Sequence, residues 1–454
     1  MSPSAIAKQF LEREARALRT RIDRLVPLSA TMSMVPAAGI PVSALSSIEQ
    51  HLREGRRNLR HAVERFVNWL KSEAGRASSA ADAQRRFTLL KLRFNSALSQ
   101  FDIFADVLVQ RSELGTGIWV AGLDDLAADA LQLPGFDYPV PDLICYLDRG
   151  HGAAIRRART RLPGGDLSPV AVIKVPRERM VGQGIGASLV HEVGHQAAAV
   201  LNLINPMRLM LQERQRRAPV AEKVAWICWE RWISEIVADM WAVAKLGVGA
   251  TFGLIGVVGL PRFFVFRIDL DDPHPFPWIR VMASIAMGKV LFPHPQWERV
   301  AGMWQAMYPQ TGLHGEQAAL IELLKRALPQ FAFALLNFRP AALRGQSLLE
   351  ALSVHQRTPE RLMDVWDQYH IRPQRWHELP PTLAFAAISQ ARVEGKLSPE
   401  GEARLISRLL LEWAVKSSLS TSEKLSREPR TMHSRSFSLQ PTLRPSRGQL
   451  ISAR

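Results

Sequence analysis

Two histidines, His191 and His195, stand one helical turn apart in this chain, and Glu192 directly follows the first of them. On a helix, positions i and i+4 lie on the same face, so both imidazole rings can reach one metal ion. Imidazole is a common zinc ligand, and a glutamate between two such ligands is free to accept a proton from a water molecule. The spacing therefore predicts a zinc site with a general base beside it. Two unrelated histidines on one helix are the alternative.

The flanking residues predict a buried amphipathic helix that carries this motif. Apolar side chains recur at helical spacing, while the two histidines lie on another side of the helix. The apolar positions are Leu189, Val193, Val200 and Ile204. Ser188 could cap the start of the helix, and Asn205 with Pro206 fits its end. We therefore expect the metal helix over about residues 186–204.

A second predicted helix provides a third ligand. Glu235 and Asp239 are again i and i+4, in a run without proline or glycine. Catalytic zinc normally takes three protein ligands, so Glu235 would complete the set, while Asp239 would accept the free ring N–H of His191. The neighbouring residues are mostly tryptophan and other apolar types, and buried carboxylates need partners. Glu230 is a competing ligand, although no acid follows it four residues later to orient a histidine.

The segment from Asp272 to Arg280 predicts a rigid, extended loop, because it holds three prolines in nine residues. Such a loop would fix the directions in which His274 and Arg280 point. A second His-Pro pair, at His294 with Arg299 five residues later, is the alternative to it.

The order of these motifs resembles the gluzincin metallopeptidases. His-Glu-x-x-His is followed by Glu-x-Val-Ala-Asp and then by His-Pro with an arginine six residues after the histidine. Within the gluzincins, this order is most similar to the family of CAAX prenyl endopeptidases and heat-shock membrane proteases. The resemblance covers roughly residues 170–280 and favours His274 over His294. That family includes integral membrane enzymes.

The resemblance implies a role for each of these side chains. The zinc (Zn²⁺) ligands would be His191, His195 and Glu235. Glu192 would be the general base, and Asp239 would orient a ligand histidine. His274 and Arg280 would complete the catalytic site, where one of them would stabilise the oxyanion that develops on the substrate.

The composition is that of a globular protein in a reducing compartment. The chain has 454 residues, of which 47% are hydrophobic and 22% charged, which are ordinary globular values. Its two cysteines, Cys145 and Cys228, imply neither a disulfide framework nor a thiolate zinc site. The N-terminus soon becomes charged and lacks the apolar core of a signal peptide. We therefore expect a cytoplasmic location.

One apolar run, Leu246 to Leu260, is the best candidate for a membrane span. It is shorter than the roughly 20 residues that cross a bilayer, and Pro261 ends it. Its internal glycines favour close packing against other helices instead. We therefore expect no stable membrane insertion.

The formal net charge of +16 raises the question of nucleic-acid binding. One basic cluster, residues 149–161, has no interleaved aromatic residues, so it is a poor stacking platform for single strands. Another part of the charge lies in residues 418–454, which are rich in serine, arginine and proline and are expected to be disordered. Nucleic acid is therefore not the expected main partner.

The remaining pattern predicts an α+β, mostly helical fold with a small sheet in a zincin-like metalloprotease core. We expect a helical N-terminal region (1–115), a zincin-like catalytic domain (116–310), a helical C-terminal region (311–417) and a disordered basic tail (418–454). Short strands are predicted at Leu143–Leu147 and Val170–Val175, upstream of the metal helix. A Gly-x-Gly-x-x-Ala match at Gly182–Ala187 lacks the adjoining strand and the later acid of a dinucleotide site, so no such cofactor is expected.

Together, these features predict a zinc metallopeptidase that hydrolyses peptide bonds in a protein or peptide substrate. The alternative is a non-catalytic helical scaffold that holds zinc for structure. Glu192 distinguishes the two, because a purely structural zinc site has no use for a base beside an open coordination position. The sequence does not determine the oligomeric state.

Overall fold

The computed structural model describes residues 1–149, 153–177, 182–352 and 354–427 of the chain. The expected α+β, mostly helical class with a small sheet is confirmed. The helices of the N-terminal third are α1 (Pro3–Asp23), α2 (Leu28–Thr31), α3 (Val42–Lys71), α4 (Glu73–Ala77), α5 (Ala80–Val109) and α6 (Leu114–Leu131). The central helices are α7 (Gln183–Val200), α8 (Ile204–Arg217), α9 (Lys223–Arg231), α10 (Ile233–Leu246), α11 (Val248–Val258), α12 (Arg262–Val265) and α13 (Pro277–Leu291). The later helices are α14 (Gln296–Met307), α15 (Gly315–Leu336), α16 (Leu348–Ala351), α17 (Pro359–Tyr369), α18 (Pro381–Val393) and α19 (Pro399–Arg427).

The described sheet has three strands, β1 (Leu143–Asp148), β2 (Ala154–Arg156) and β3 (Ala171–Pro176), in the order β1-β3-β2. Strands β1 and β3 are parallel, with Leu143 opposite Ala171, and match the two predicted strands to within a residue. Strand β2, which the sequence did not predict, pairs antiparallel with β3 and is an edge strand of the sheet. Its three residues are too few for a recognisable alternation of apolar and polar side chains.

The first helices form a bundle because their apolar residues recur at helical spacing. Helices α1, α3 and α5 bury one cluster, which includes Leu18, Val63 and Phe87. The opposite ends of α3 and α5 bury a second cluster against one face of the sheet, through Ile48 and Phe104, for example. The bundle is thereby fixed to the part of the chain that carries the metal motif.

A larger core holds the remaining elements together. It includes side chains from α6, α7, α10, α11, α13, α18 and α19 and from the other face of the sheet. Arg111 and Asp124 form a buried ion pair beneath β1, where the Arg111 guanidinium also donates to the carbonyl of Cys145 at 2.7 Å. This core continues across the expected boundary at residue 311, so helices from both sides of that boundary bury one another.

Helices α7, α10 and α11 approach one another closely because glycines lie at their contacts. A Cβ atom at Gly194 of α7 would lie only 2.8 Å from the Cα of Ala238 in α10. Similarly, a Cβ at Gly253 of α11 would lie 2.2 Å from the Cβ of Ala187. Any side chain at these positions would push the helices apart, so the glycines determine the distance between α7 and its two neighbours.

The ends of the metal helix differ from those expected. Helix α7 begins after Gly182, whose φ of 79° is in the left-handed region, and not at a Ser188 cap. It ends before Asn202, which also has a positive φ, of 47°. Pro206 lies in the first turn of α8. Backbone N–H groups in a first turn have no carbonyl partner within the helix, so proline is tolerated there and does not end a helix.

Two other expectations can be placed on the structure. Helix α19 continues to Arg427, so the first residues of the predicted disordered tail are helical, while residues 428–454 lie outside the described residues. The apolar run 246–260 is divided between α10 and the short helix α11, with Gly247 at the break. In the described part of the chain, no helix has the length and apolar character needed to cross a membrane.

Candidate metal centre

The side chains singled out in the sequence come from three parts of the fold. Helix α7 carries both histidines of the motif, and α10 packs against it with Glu235 on the facing side. The proline-rich segment ends where α13 begins, so His274 lies in a loop while Arg280 lies in the first turn of a helix. Pro277 is at the first position of that helix, which accommodates its fixed φ.

His191, His195 and Glu235 meet at one point. Nε2 of His191 lies 3.4 Å from one oxygen of Glu235, and Nε2 of His195 lies 3.4 Å from the other. One potential ligand atom from each residue falls within 4.8 Å of the other two. Ligands at zinc bond lengths of about 2.0–2.1 Å in a tetrahedron stand roughly 3.3 Å apart. The two nitrogens and the carboxylate therefore have both the chemistry and the spacing of a zinc site.

The carboxylate of Glu235 is buried among ring nitrogens. Its Oε2 has His274 Nε2 at 3.1 Å and His191 Nε2 at 3.4 Å, but no described donor is aligned to form a hydrogen bond with it. Burial raises the pKa of Glu235, but the surrounding imidazoles outweigh this effect and hold the pKa well below its usual range. A buried oxygen with full negative charge and no aligned donor is suited to a cation.

Asp239 lies behind His191 and is held by Arg280. Its Oδ1 is 2.7 Å from Nδ1 of His191, the ring nitrogen that faces away from the ligand cluster. The Arg280 guanidinium donates to both oxygens of Asp239, at 2.7 and 3.0 Å. Burial raises the pKa of Asp239, but Arg280 and His191 outweigh it and lower the pKa to about 2. The charged carboxylate thus lies directly beside Nδ1 of His191, where it can orient the ring.

The two carboxylates also affect His191 itself. Burial lowers the pKa of this histidine, but Asp239 and Glu235 outweigh burial and raise it to about 9. The cluster therefore attracts positive charge, which a proton or a metal ion can supply.

His274 is brought to the same cluster by its loop. Its Nδ1 lies 2.7 Å from Asp272 Oδ1, while its backbone N–H donates to the same oxygen at 2.9 Å. This local contact turns Nε2 towards Glu235, and the contact with Glu235 raises the pKa of His274. The His274 side chain is 47% exposed, so it can face both the cluster and a bound molecule.

Glu192 lines a cavity beside the cluster. The residue is 8% exposed, and the cavity of about 170 Å³ that it lines also contains His191, His274 and Arg280 in its wall. The carboxylate is therefore close to the ligands without belonging to the set of three. The general-base role of Glu192 stays a prediction.

The competing residues lie elsewhere. Glu230 contacts Arg208 at 3.7 Å and Gln212 at 3.5 Å. His294 accepts from the backbone N–H of Gln296 at the start of α14, and its other ring nitrogen is 3.6 Å from Glu360. Of the glycines in the Gly-x-Gly-x-x-Ala match, Gly186 lies where a Cβ would be 2.6 Å from the ring of Phe385, so it serves helix packing.

Two residues that support α7 were missed in the sequence analysis. Gln196 accepts a hydrogen bond from the backbone N–H of Ala158 at 3.0 Å, which ties the metal helix to the chain just after β2. Glu402 of α19 is fully buried and ion-paired with Arg392, and its Oε2 would lie 3.2 Å from a Cβ at Gly182, directly before the first turn of α7, where a negative charge is favourable. No local sequence signal identifies Glu402, because it lies far downstream and acts only through the tertiary structure.

Arg280 lies in the wall of the same cavity as Glu192. Its guanidinium is hydrogen-bonded to Asp239 and has Nη2 3.7 Å from Oε2 of Glu235. It can therefore hold Asp239 in place beside His191.

Searches against protein-family models, curated proteins and solved structures found no match to this chain.

Proposed function

We propose that this protein is a zinc-dependent metallopeptidase of the gluzincin type, with a zincin-like catalytic core. The observation that supports the proposal is the juxtaposition of His191, His195 and Glu235 at ligand spacing, with Glu192 in the wall of the adjoining cavity. A structural zinc site normally has four protein ligands. The three-residue set in the described chain leaves one position for water or substrate.

The metal would be held by the two Nε2 atoms and the Glu235 carboxylate. When bound, zinc polarises the scissile carbonyl and lowers the pKa of a water molecule. Glu192 would accept the proton of that water and then deliver it to the leaving amine. Its position in the cavity wall, outside the ligand set, leaves its carboxylate available for both transfers.

His274 and the Arg280–Asp239 pair would have different tasks. His274 is partly exposed and its Nε2 points towards the cluster, so it can donate to the oxyanion that develops on the substrate carbonyl. Arg280 holds Asp239, which in turn fixes the orientation of His191. This arrangement keeps the ligand rings in place before any substrate arrives.

The substrate would be an extended polypeptide. Strand β2 is an edge strand next to α7, and Ala153, just before it, lines the cavity. An extended peptide can add to such an edge through main-chain hydrogen bonds, which would place its carbonyl groups beside the cluster. Both cysteines are free and buried, which supports a cytoplasmic location as part of this proposal.

The experiment compares metal content and hydrolysis of an unstructured protein for the natural chain and two variants. His195→Ala should lose most of the zinc, because it removes one of three ligands. Glu192→Gln should retain about one zinc per chain but lose roughly 10²–10⁴-fold in turnover, because only the base is removed. A full equivalent of zinc after His195→Ala would place the metal elsewhere.

A matched pair of histidines tests the oxyanion role. His274→Ala should lower turnover roughly a hundredfold with its zinc retained, whereas His294→Ala, in the other His-Pro pair, should leave turnover unchanged. Zinc binding without hydrolysis above the Glu192→Gln level would contradict the proposal and favour the zinc-stabilised scaffold.

A further inference from the structure

Much of the positive charge of this chain lies in its N-terminal bundle. Residues 1–100 hold 17 lysines and arginines against eight aspartates and glutamates, so they carry +9 of the formal net charge of +16. This region is separate from the two basic segments at residues 149–161 and 418–454. The outer surface of the bundle therefore has the charge that attracts a polyanion.

The solvent-facing side of α3 is polar from residue 50 to residue 71. Ten residues of this range are exposed, of which five are basic and one, Glu54, is acidic. The other four are glutamine, asparagine and histidine residues, which can form hydrogen bonds. The opposite side of the helix packs into the core of the bundle through Leu59 and Val63. The five basic residues, which we call the basic stripe, are Arg53, Arg57, Arg60, Arg65 and Lys71.

The neighbouring helix neutralises only part of the basic stripe. Arg60 is paired with Asp23 of α1 at 2.7 Å, and Lys71 is paired with Glu12 of α1 at 3.2 Å. None of the described carboxylates forms an ion pair with the other three members of the stripe. Their guanidinium groups are therefore available to a ligand.

The spacing of these three arginines suits a chain of phosphates. At a rise of 1.5 Å per residue, the distance from Arg53 through Arg57 to Arg65 is about 18 Å along α3. Phosphates of one DNA strand follow one another at about 3.4 Å along the duplex axis, so the three arginines extend along about five phosphates. A guanidinium can also form two parallel hydrogen bonds with one phosphate.

The chemistry of the stripe favours a duplex over a single strand or a lipid surface. Proteins that bind single strands use aromatic rings on which the bases stack. The two such rings of α3 are not free for stacking, because Phe66 is buried and Arg86 covers Trp69 at 4.3 Å. A surface that enters a lipid bilayer carries exposed apolar side chains, and α3 exposes none between residues 50 and 71.

We propose that the basic stripe of α3 binds the sugar–phosphate backbone of double-stranded nucleic acid without regard to base sequence. Contacts to phosphate carry no sequence information directly, so the same affinity is expected for duplexes of different sequence. The proposal does not depend on the metal centre, because the stripe belongs to the bundle and not to the helices that carry the metal ligands. Its failure would leave the proposed peptidase function untouched.

The first test measures binding of a short fluorescein-labelled DNA duplex to the full-length protein by fluorescence anisotropy at several salt concentrations. The combined change Arg53→Gln, Arg57→Gln and Arg65→Gln removes three phosphate contacts. It should weaken binding roughly tenfold or more, and should lower the slope of log affinity against log salt by about 2.7, since each contact contributes about 0.9. Natural affinity and slope in this variant would overturn the proposal.

A matched control removes the same charge elsewhere. Arg326→Gln, Arg372→Gln and Arg404→Gln change exposed arginines in the C-terminal part of the chain. This variant should bind the duplex with nearly natural affinity and salt slope. An equal loss in the control would mean that only the net charge matters, which would refute the assignment to α3.

A third variant separates charge from folding. Arg53→Lys, Arg57→Lys and Arg65→Lys should retain binding to within severalfold, because lysine also binds phosphate as a point charge. A loss as large as in the glutamine variant would contradict a contact based on charge. Since the three residues are exposed, all the variants should keep the natural Tm.

The last test compares ligands. The natural chain should bind the duplex more tightly than a single strand of the same length, polyglutamate or phosphatidylserine vesicles. Tighter binding to the single strand would refute the duplex as the ligand. Tighter binding to polyglutamate or to the vesicles would instead assign the stripe to an acidic protein or to a lipid surface, and would overturn the proposal.

Discussion

Gly194, between His191 and His195, tests how closely α7 and α10 approach each other at the proposed metal centre. The change Gly194→Ala adds one methyl group where α7 touches α10. That methyl would lie 2.8 Å from the Cα and 2.9 Å from the backbone oxygen of Ala238, and 3.0 Å from Cβ of Trp241. Two of these three neighbours are backbone atoms, so a simple rotation of a side chain cannot remove the clash.

The size of the effect follows from these distances. Non-bonded carbon atoms prefer separations of about 3.5–4.0 Å, so the two helices must move apart by roughly 0.7 Å or more. Zinc ligands tolerate deviations of only about 0.2 Å from their ideal distances. The shift would separate Glu235 from the histidines, whose present spacing to it is 3.4 Å. We expect a loss of about 1–3 kcal/mol in unfolding free energy from overpacking, and a decrease of at least tenfold in zinc affinity.

The assay combines urea unfolding of the chelator-treated protein with zinc titration by calorimetry. Gly256→Ala on α11 is the matched control, since a Cβ there meets no atom within 4 Å. Because alanine favours helix by up to about 1 kcal/mol over glycine, this control should be neutral or slightly stabilising and should bind zinc normally. Natural stability and zinc affinity in Gly194→Ala would refute the close approach of α7 and α10.

Three further predictions concern Asp239, Asp125 and the removal of the metal. Asp239→Asn should weaken zinc binding roughly 10–100-fold, measured by competition with a chelator, because it removes the acceptor that orients His191; unchanged affinity would argue against that contact. Burial raises the pKa of Asp125 from its ordinary 3.8 to about 7, so the folded state holds this proton more tightly and stability falls as pH rises between those values. Asp125→Asn should therefore add at most about 4 kcal/mol of unfolding free energy near pH 8 and almost nothing near pH 4; an equal gain at both would contradict the assignment. Removal of zinc with a chelator, from a hundredfold excess over Kd, should lower the free energy of unfolding by about 2.7 kcal/mol and therefore lower Tm; an unchanged Tm would show that folding does not depend on the site.

The sequence predicted those parts of the centre that depend on local spacing. His191 with His195, and Glu235 with Asp239, are each separated by one helical turn, so a correct assignment of helix is sufficient to place each pair on one face. The two longer strands were predicted for a similar reason, since short runs of apolar residues bounded by breakers favour a buried strand. The predicted ends of α7 were wrong. The helix is bounded by a glycine and an asparagine with positive φ, and not by the nearby Ser188 and Pro206.

Only the tertiary structure decided which distant residues join these pairs. Both His274 and His294 precede a proline in the sequence, but a single fold brings His274 to Glu235 and leaves His294 beside Glu360. Glu402 lies at the start of α7 because α19 packs there, and no spacing of residues along the sequence predicts that contact. The physical reason is that spacing along a helix is determined by its own hydrogen bonds, whereas spacing between helices depends on how all their side chains pack together.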